Sequence, residues 1–123
     1  MLHARQSEPE QDRVLTKAVL SAAKRLGASN RDLARILGCS EATISRLSRG
    51  RTIEVGTKQG ELALLFVRLF RALDAMVSGD EAAAQRWYAA PNRRLGGVPS
   101  ELVKSVGGLV GTVDYLDAMR GTF

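Results

Sequence analysis

The stretch Arg31–Gly50, "RDLARILGCSEATISRLSRG", decides the fold. Two short helices that cross at a steep angle need particular residues at a few fixed places. Where the second helix crosses the first, only a small side chain fits, and Ala34 stands there. Four positions on, the turn needs a residue that accepts positive φ, and Gly38 supplies it. Ten positions after the alanine, an apolar β-branched residue must enter the core; this is Ile44, with Leu47 one turn later. Leu33 and Leu37 form the inner face of the first helix. With every position filled, the stretch is a helix-turn-helix.

The outer face of the second helix then has a consequence. Its first residues would point into the major groove of a duplex. Glu41, Ala42, Thr43, Ser45 and Arg46 are the candidates for base edges. Arg46 can donate two bonds to a guanine, and Ala42 or the Thr43 methyl can touch a thymine methyl. Ser40, Arg49 and Arg51 suit phosphates, which fix register without reading sequence, and Ser40 also caps its helix. Cys39 in the turn reads as a small packed residue, since nothing nearby in sequence would activate its thiol.

Charge placement agrees. From residue 24 to 51 the basic residues Lys24, Arg25, Arg31, Arg35, Arg46, Arg49 and Arg51 face only Asp32 and Glu41, so this block carries the whole net charge of +5. A local basic block suits a polyanion, of which nucleic acid is the commonest.

Outward from this motif the signals are helical. Leu15, Val19, Ala22 and Leu26 share one helix face, closed by Gly27. Ser29 and Asp32 form a variant of the capping box ahead of a helix over 30–37. After the polar connection "RTIEVGTKQG", the segment "ELALLFVRLFRALDAMVSG" is apolar on almost every side except around Arg68, Arg71 and Asp74. Such a helix must be covered on two sides, as a spine between two halves or as a dimer contact. Asp80 caps a helix over "EAAAQRWYAA" that Pro91 stops. Pro99 opens another helix reaching Val106, Gly107–Gly108 is expected to break it, and a last helix with Val113, Leu116 and Met119 inward ends at Gly121. The fold class is all-α.

Composition narrows the chemistry. The only histidine, His3, and the only cysteine among 123 residues leave no metal set, no disulfide and no histidine-based catalysis. No Gly-rich loop of the P-loop kind is present. The expectation is a binding protein, not an enzyme, without cofactor or metal. "MLHARQSEPEQDR" has no apolar signal core and no run approaches the roughly 20 apolar residues of a membrane span, so the cytoplasm is the expected compartment.

Residues 80–123 are too short to enclose a ligand pocket, which leaves a protein-binding surface as their use. Trp87, Tyr88, Arg93, Arg94, Tyr115 and Phe123 are the anchor types of such surfaces, although a lone Trp also serves as core. Trp87, "PN" at 91–92, "LGG" at 95–97, Pro99 and the closing "VDYLDAMRG" follow the helix-turn-helix and spine in an order that resembles the MbcA/ParS/Xre antitoxin family. The resemblance runs from about Asp12 to Gly121; Tyr88, where the family usually has a bulky aliphatic residue, and the glycine-rich "VGGLVG" depart from it.

That resemblance implies a type II antitoxin. Its partner would be a RES-domain toxin that consumes NAD, encoded in the same operon and blocked at its active-site cleft. It also implies repression of that operon through the helix-turn-helix. Carried onto this chain, the toxin-facing residues would be Trp87, Asn92, Leu95, Gly96, Gly97, Tyr115, Leu116, Met119 and Arg120, with Arg120, Thr122 and Phe123 reaching the cleft. Gly96 and Gly97 equally suit a tight turn before Pro99. The expected division is a DNA-binding domain over 1–70, with 1–11 as a flexible tail, and a toxin-binding domain over 71–123. A single module reads few bases, so two copies on a pseudo-palindromic operator are expected. The alternative is a stand-alone dimeric helix-turn-helix repressor whose C-terminal half only dimerises.

Overall fold

The computed structural model describes residues 9–120. Among these residues the chain forms α1 (Pro9–Leu26), α2 (Asn30–Leu37), α3 (Glu41–Ser48), α4 (Lys58–Met76), α5 (Glu81–Ala89), α6 (Pro99–Leu102) and α7 (Val106–Arg120), and no strand. The class is all-α, a helix-turn-helix followed by a smaller helical unit.

Local chemistry sets the boundaries. Ser29 Oγ accepts from Asp32 N at 3.1 Å while Ser29 N donates to Asp32 Oδ2 at 3.2 Å, closing the capping box of α2. Gly38 follows at φ 70° and turns the chain. Ser40 Oγ accepts from Thr43 N at 3.1 Å and starts α3. Asp80 Oδ1 caps α5 through Ala83 N at 3.1 Å.

The spine, α4, is covered on both sides: α1 packs along one side and α7 along another, with α2 and α5 also against it. Ala63, Phe66, Leu69, Ala72 and Leu73 disappear into a single core that runs from Leu15 to Leu116. The helix passes unbroken through residue 70, where the sequence suggests a domain boundary.

Two expectations require correction. Gly107 and Gly108 do not break the chain; they lie in the first turn of α7, and the helix from Pro99 stops at Leu102 instead of Val106. Ser105 starts α7, its Oγ accepting from Gly108 N at 3.1 Å. Gly108 is required for close approach, because a Cβ there would collide with the carbonyl oxygen of Leu102. The linker "RTIEVGTKQG" is also less open than its polarity suggests. Ile53 is buried, its N–H donates to Thr16 Oγ1 at 2.8 Å, and Val55 N donates to Asp12 Oδ1 at 2.8 Å. Asp12 and Thr16 are buried polar residues of α1 that hold the chain leaving the helix-turn-helix.

Candidate functional site

The first candidate surface is the outer face of α3. Ile44 and Leu47 anchor the helix in the core. Glu41, Ala42, Arg46 and Arg49 remain exposed, with Ser40 and Arg51 exposed at its two ends. Thr43 and Ser45 are half-buried. Ser40 Oγ lies 3.0 Å from Thr43 Oγ1, so the two hydroxyls that open the helix are already paired and keep fewer groups free for a ligand than their number suggests. Arg51 is held near Arg46 by its own N–H, which donates to the Arg46 carbonyl at 3.0 Å. A polar cleft of about 460 Å³, lined by Thr43, Arg51, Thr57 and Lys58 among others, lies between α3 and the start of α4.

The basic block does not act as one unit. Arg25 turns away to the C-terminal half. Its Nε reaches Glu81 Oε1 at 3.2 Å and its Nη2 reaches Asp74 Oδ1 at 3.5 Å. Its guanidinium also stands 4.7 Å over the Phe70 ring, and its carbonyl accepts from Gln85 Nε2 at 3.0 Å. This arginine joins α1, α4 and α5, and its charge is shared with two carboxylates. Arg31 and Arg35 stay exposed on α2. Burial raises the pKa of the Cys39 thiol despite the opposing charge of Arg51, which keeps it protonated and a poor nucleophile.

The second candidate surface lies on α5, α7 and the turn that follows α5. Trp87 is half-buried and stacks on Tyr115, ring centroids 6.4 Å apart and planes 18° from parallel. The fully buried aromatic is its neighbour Tyr88, edge-on to Phe66 at 6.4 Å. Burial, with the nearby charges of Asp32 and Glu101, raises the pKa of the Tyr88 hydroxyl, and among the described residues that oxygen has no hydrogen-bond partner.

Asn92, Gly96 and Gly97 build the turn itself. Asn92 N donates to Gly97 O at 2.8 Å and Gly96 N to Asn92 O at 2.9 Å. The Asn92 side chain accepts from Leu95 N at 3.1 Å, and Gly96 sits at φ 78°. Arg93 and Arg94 are exposed at the tip, and Leu95 is half-buried. Met119 is half-buried and Arg120 exposed at the end of α7. Leu116, read from the sequence as inward and named by the resemblance among the toxin-facing residues, is 0% exposed; its side chain is core and can only hold α7 in place for its neighbours. Thr122 and Phe123 lie outside the described residues.

Sequence reasoning missed the residues that tie the two surfaces together. Lys104, only 13% exposed in the turn before α7, bridges Asp32 Oδ1 at 3.3 Å and Glu101 Oε2 at 3.0 Å. Arg68 on α4 reaches Asp117 Oδ2 on α7 at 2.8 Å. Nothing in the spacing of single charges signals such long-range pairs.

Comparison with family models gives two adjacent matches. Residues 5–68 match the antitoxin Xre-like helix-turn-helix domain, and residues 72–121 match the antitoxin Xre/MbcA/ParS C-terminal toxin-binding domain. Comparison with curated proteins finds no match. No helix among the described residues is long and apolar enough to cross a membrane.

Proposed function

The chain belongs to the Xre/MbcA/ParS antitoxin family, and on that premise we propose that it neutralises a RES-domain, NAD-consuming toxin encoded beside it and represses their shared operon. Residues 71–123 act as the toxin-binding part and residues 1–70 as the DNA-binding part, working in the cytoplasm. The observation that carries this reading is the adjacency of the two family matches on a chain whose exposed α3 face and Trp87–Tyr115 pair lie on separate elements. The protein acts by binding alone.

On the operator, Arg46 donates to a guanine, while Glu41, Ala42, Thr43 and Ser45 meet neighbouring base edges. Ser40, Arg49 and Arg51 hold phosphates. Two copies bind a pseudo-palindrome. On the toxin, the stacked Trp87 and Tyr115 form an apolar anchor, with Leu95 and Met119 beside it in role. The turn of Asn92, Gly96 and Gly97 shapes the surface. Arg120, Thr122 and Phe123 reach the cleft, where the Arg120 guanidinium occupies the place of NAD phosphate or ribose.

Two exposed arginines separate the activities without touching the core. R120E should weaken capture of the toxin and leave operator affinity unchanged; R46A should do the reverse. Loss of both activities in either variant would contradict the division of labour.

A further inference from the structure

Arg13, Lys17, Leu20 and Lys24 recur along α1 at i, i+4, i+7 and i+11 and so share one face of the helix. Two hollows of about 300 and 320 Å³ run beside that face. Leu20 and Ser48 line both, so the hollows form one trough between α1 and the C-terminal end of α3. Arg13, Lys17 and Arg51 line its first part, and Lys24 lines its second, next to Ser29 and Asn30 at the start of α2. Among the described residues no Asp or Glu lines either part; Glu10, the exposed acid of α1, lines a different groove. Arg13, Lys17, Lys24 and Arg51 are exposed, and among the described residues none has an ion-pair partner. An ordinary solvated face carries both signs interspersed. The fold thus redraws the basic block: it turns Arg25 towards Asp74 and Glu81, and it sets Arg13 and Lys17, from outside residues 24–51, beside Arg51.

We infer that this trough is a second nucleic-acid contact, in which Arg13, Lys17 and Lys24 hold phosphates of the duplex whose bases α3 reads. The inference rests on the proposed operator binding and adds to it a contact made by α1, outside the helix-turn-helix itself. Arg51 belongs to both surfaces, so a strand held at the end of α3 continues into the trough without leaving the protein. Arg13 and Lys24 stand 11 residues apart, which at a rise of 1.5 Å per residue separates them by about 16 Å along α1. One strand of a duplex carries a charge about every 3.4 Å of its axis, so a row of this length meets several phosphates. Lysine and arginine on flexible stems suit such a backbone, and the contact adds affinity and fixes register without reading sequence.

Fluorescence anisotropy of the full-length chain tests it with two labelled duplexes of equal length, one from upstream of its own coding sequence and one of random sequence. R13Q/K17Q/K24Q should lower the slope of log affinity against log salt by about 2–3, and K17Q alone by about 0.9, the share of one phosphate contact. The loss should be the same on both duplexes, because phosphates carry no sequence information. R86Q/R93Q/R94Q removes the same charge from exposed arginines of the C-terminal half and should leave the slope unchanged. A trough variant that keeps the wild-type slope, or a control variant that loses as much, would overturn the proposal and leave operator binding in place. A wild type that binds neither duplex would overturn operator binding and this contact together.

Discussion

Lys104 Nζ lies 3.3 Å from Asp32 Oδ1 and thereby joins the turn before α7 to the capping box of the helix-turn-helix. Burial raises the Asp32 pKa, but the Ser29 N–H, the Lys104 ammonium and the Ser29 hydroxyl outweigh it and hold the carboxyl below its ordinary value of 3.8. Glu101 chiefly, and Asp32 with it, raise Lys104 above its ordinary 10.5 against the effect of burial. The stabilisation from Asp32 is therefore complete above pH 3.8 and is lost as pH falls through the lower folded value. That from Lys104 is complete below pH 10.5 and is lost as pH rises through its higher folded value. K104M should cost up to about 1 kcal/mol in urea unfolding at neutral pH. The difference from wild type should vanish once Asp32 and Glu101 are protonated. A gap that persists in acid would show that packing of the Lys104 stem, and not its charge, is responsible.

Among the described residues the buried Tyr88 hydroxyl has no partner, so removing it should not weaken the protein. Y88F is expected to match wild type or exceed it by up to about 1 kcal/mol. Y88A, which empties the space against Phe66, should lose about 3–5 kcal/mol. A clear loss in Y88F by thermal unfolding would mean that the hydroxyl has a partner in solution, such as an ordered water.

Two glycines of α7 should respond in opposite directions. G111A adds a methyl group in open space on the exposed side and should stabilise by roughly 0.5–1 kcal/mol through helix propensity. G108A places its methyl group against the Leu102 carbonyl and should destabilise. Equal effects in chemical denaturation would contradict the close approach of α6 to α7.

On DNA, R46A should cost about 1–3 kcal/mol and relax preference at one base pair. R49A should weaken all sequences alike and lower the slope of log affinity against log salt by about 1. Operator titrations at several salt concentrations distinguish them, and identical behaviour of the two variants would contradict the assigned roles.

How far the sequence was legible depended on whether a feature is local. Ser29–Asp32, Gly38, Ser40 and Asp80 act within a few residues of themselves, and the structure has each in the expected role. Gly107–Gly108 misled because two glycines look like a break, whereas the second is there for a contact with Leu102, a residue on another helix. Ser105 was the overlooked sign, a capping serine just ahead of the helix. The spacing of Asp12 and Thr16 with Leu15 and Val19 also placed two polar groups on a buried face, a hint of the chain they hold at Ile53 and Val55. For the candidate surfaces, residue type identified anchors but not depth. Tyr88 went to the core, while Trp87 stayed half-buried against Tyr115. Arg25 looked like a ligand for a polyanion until its acidic partners, distant in sequence, were in view.

The most direct measurement is to co-express the tagged chain with the protein encoded beside it, purify the pair, and follow NAD. The account predicts one stable complex in which the NAD loss caused by the neighbour alone has stopped. A neighbour that fails to co-purify, or that continues to consume NAD within the complex, would contradict it and leave the chain a repressor whose C-terminal half only supports pairing.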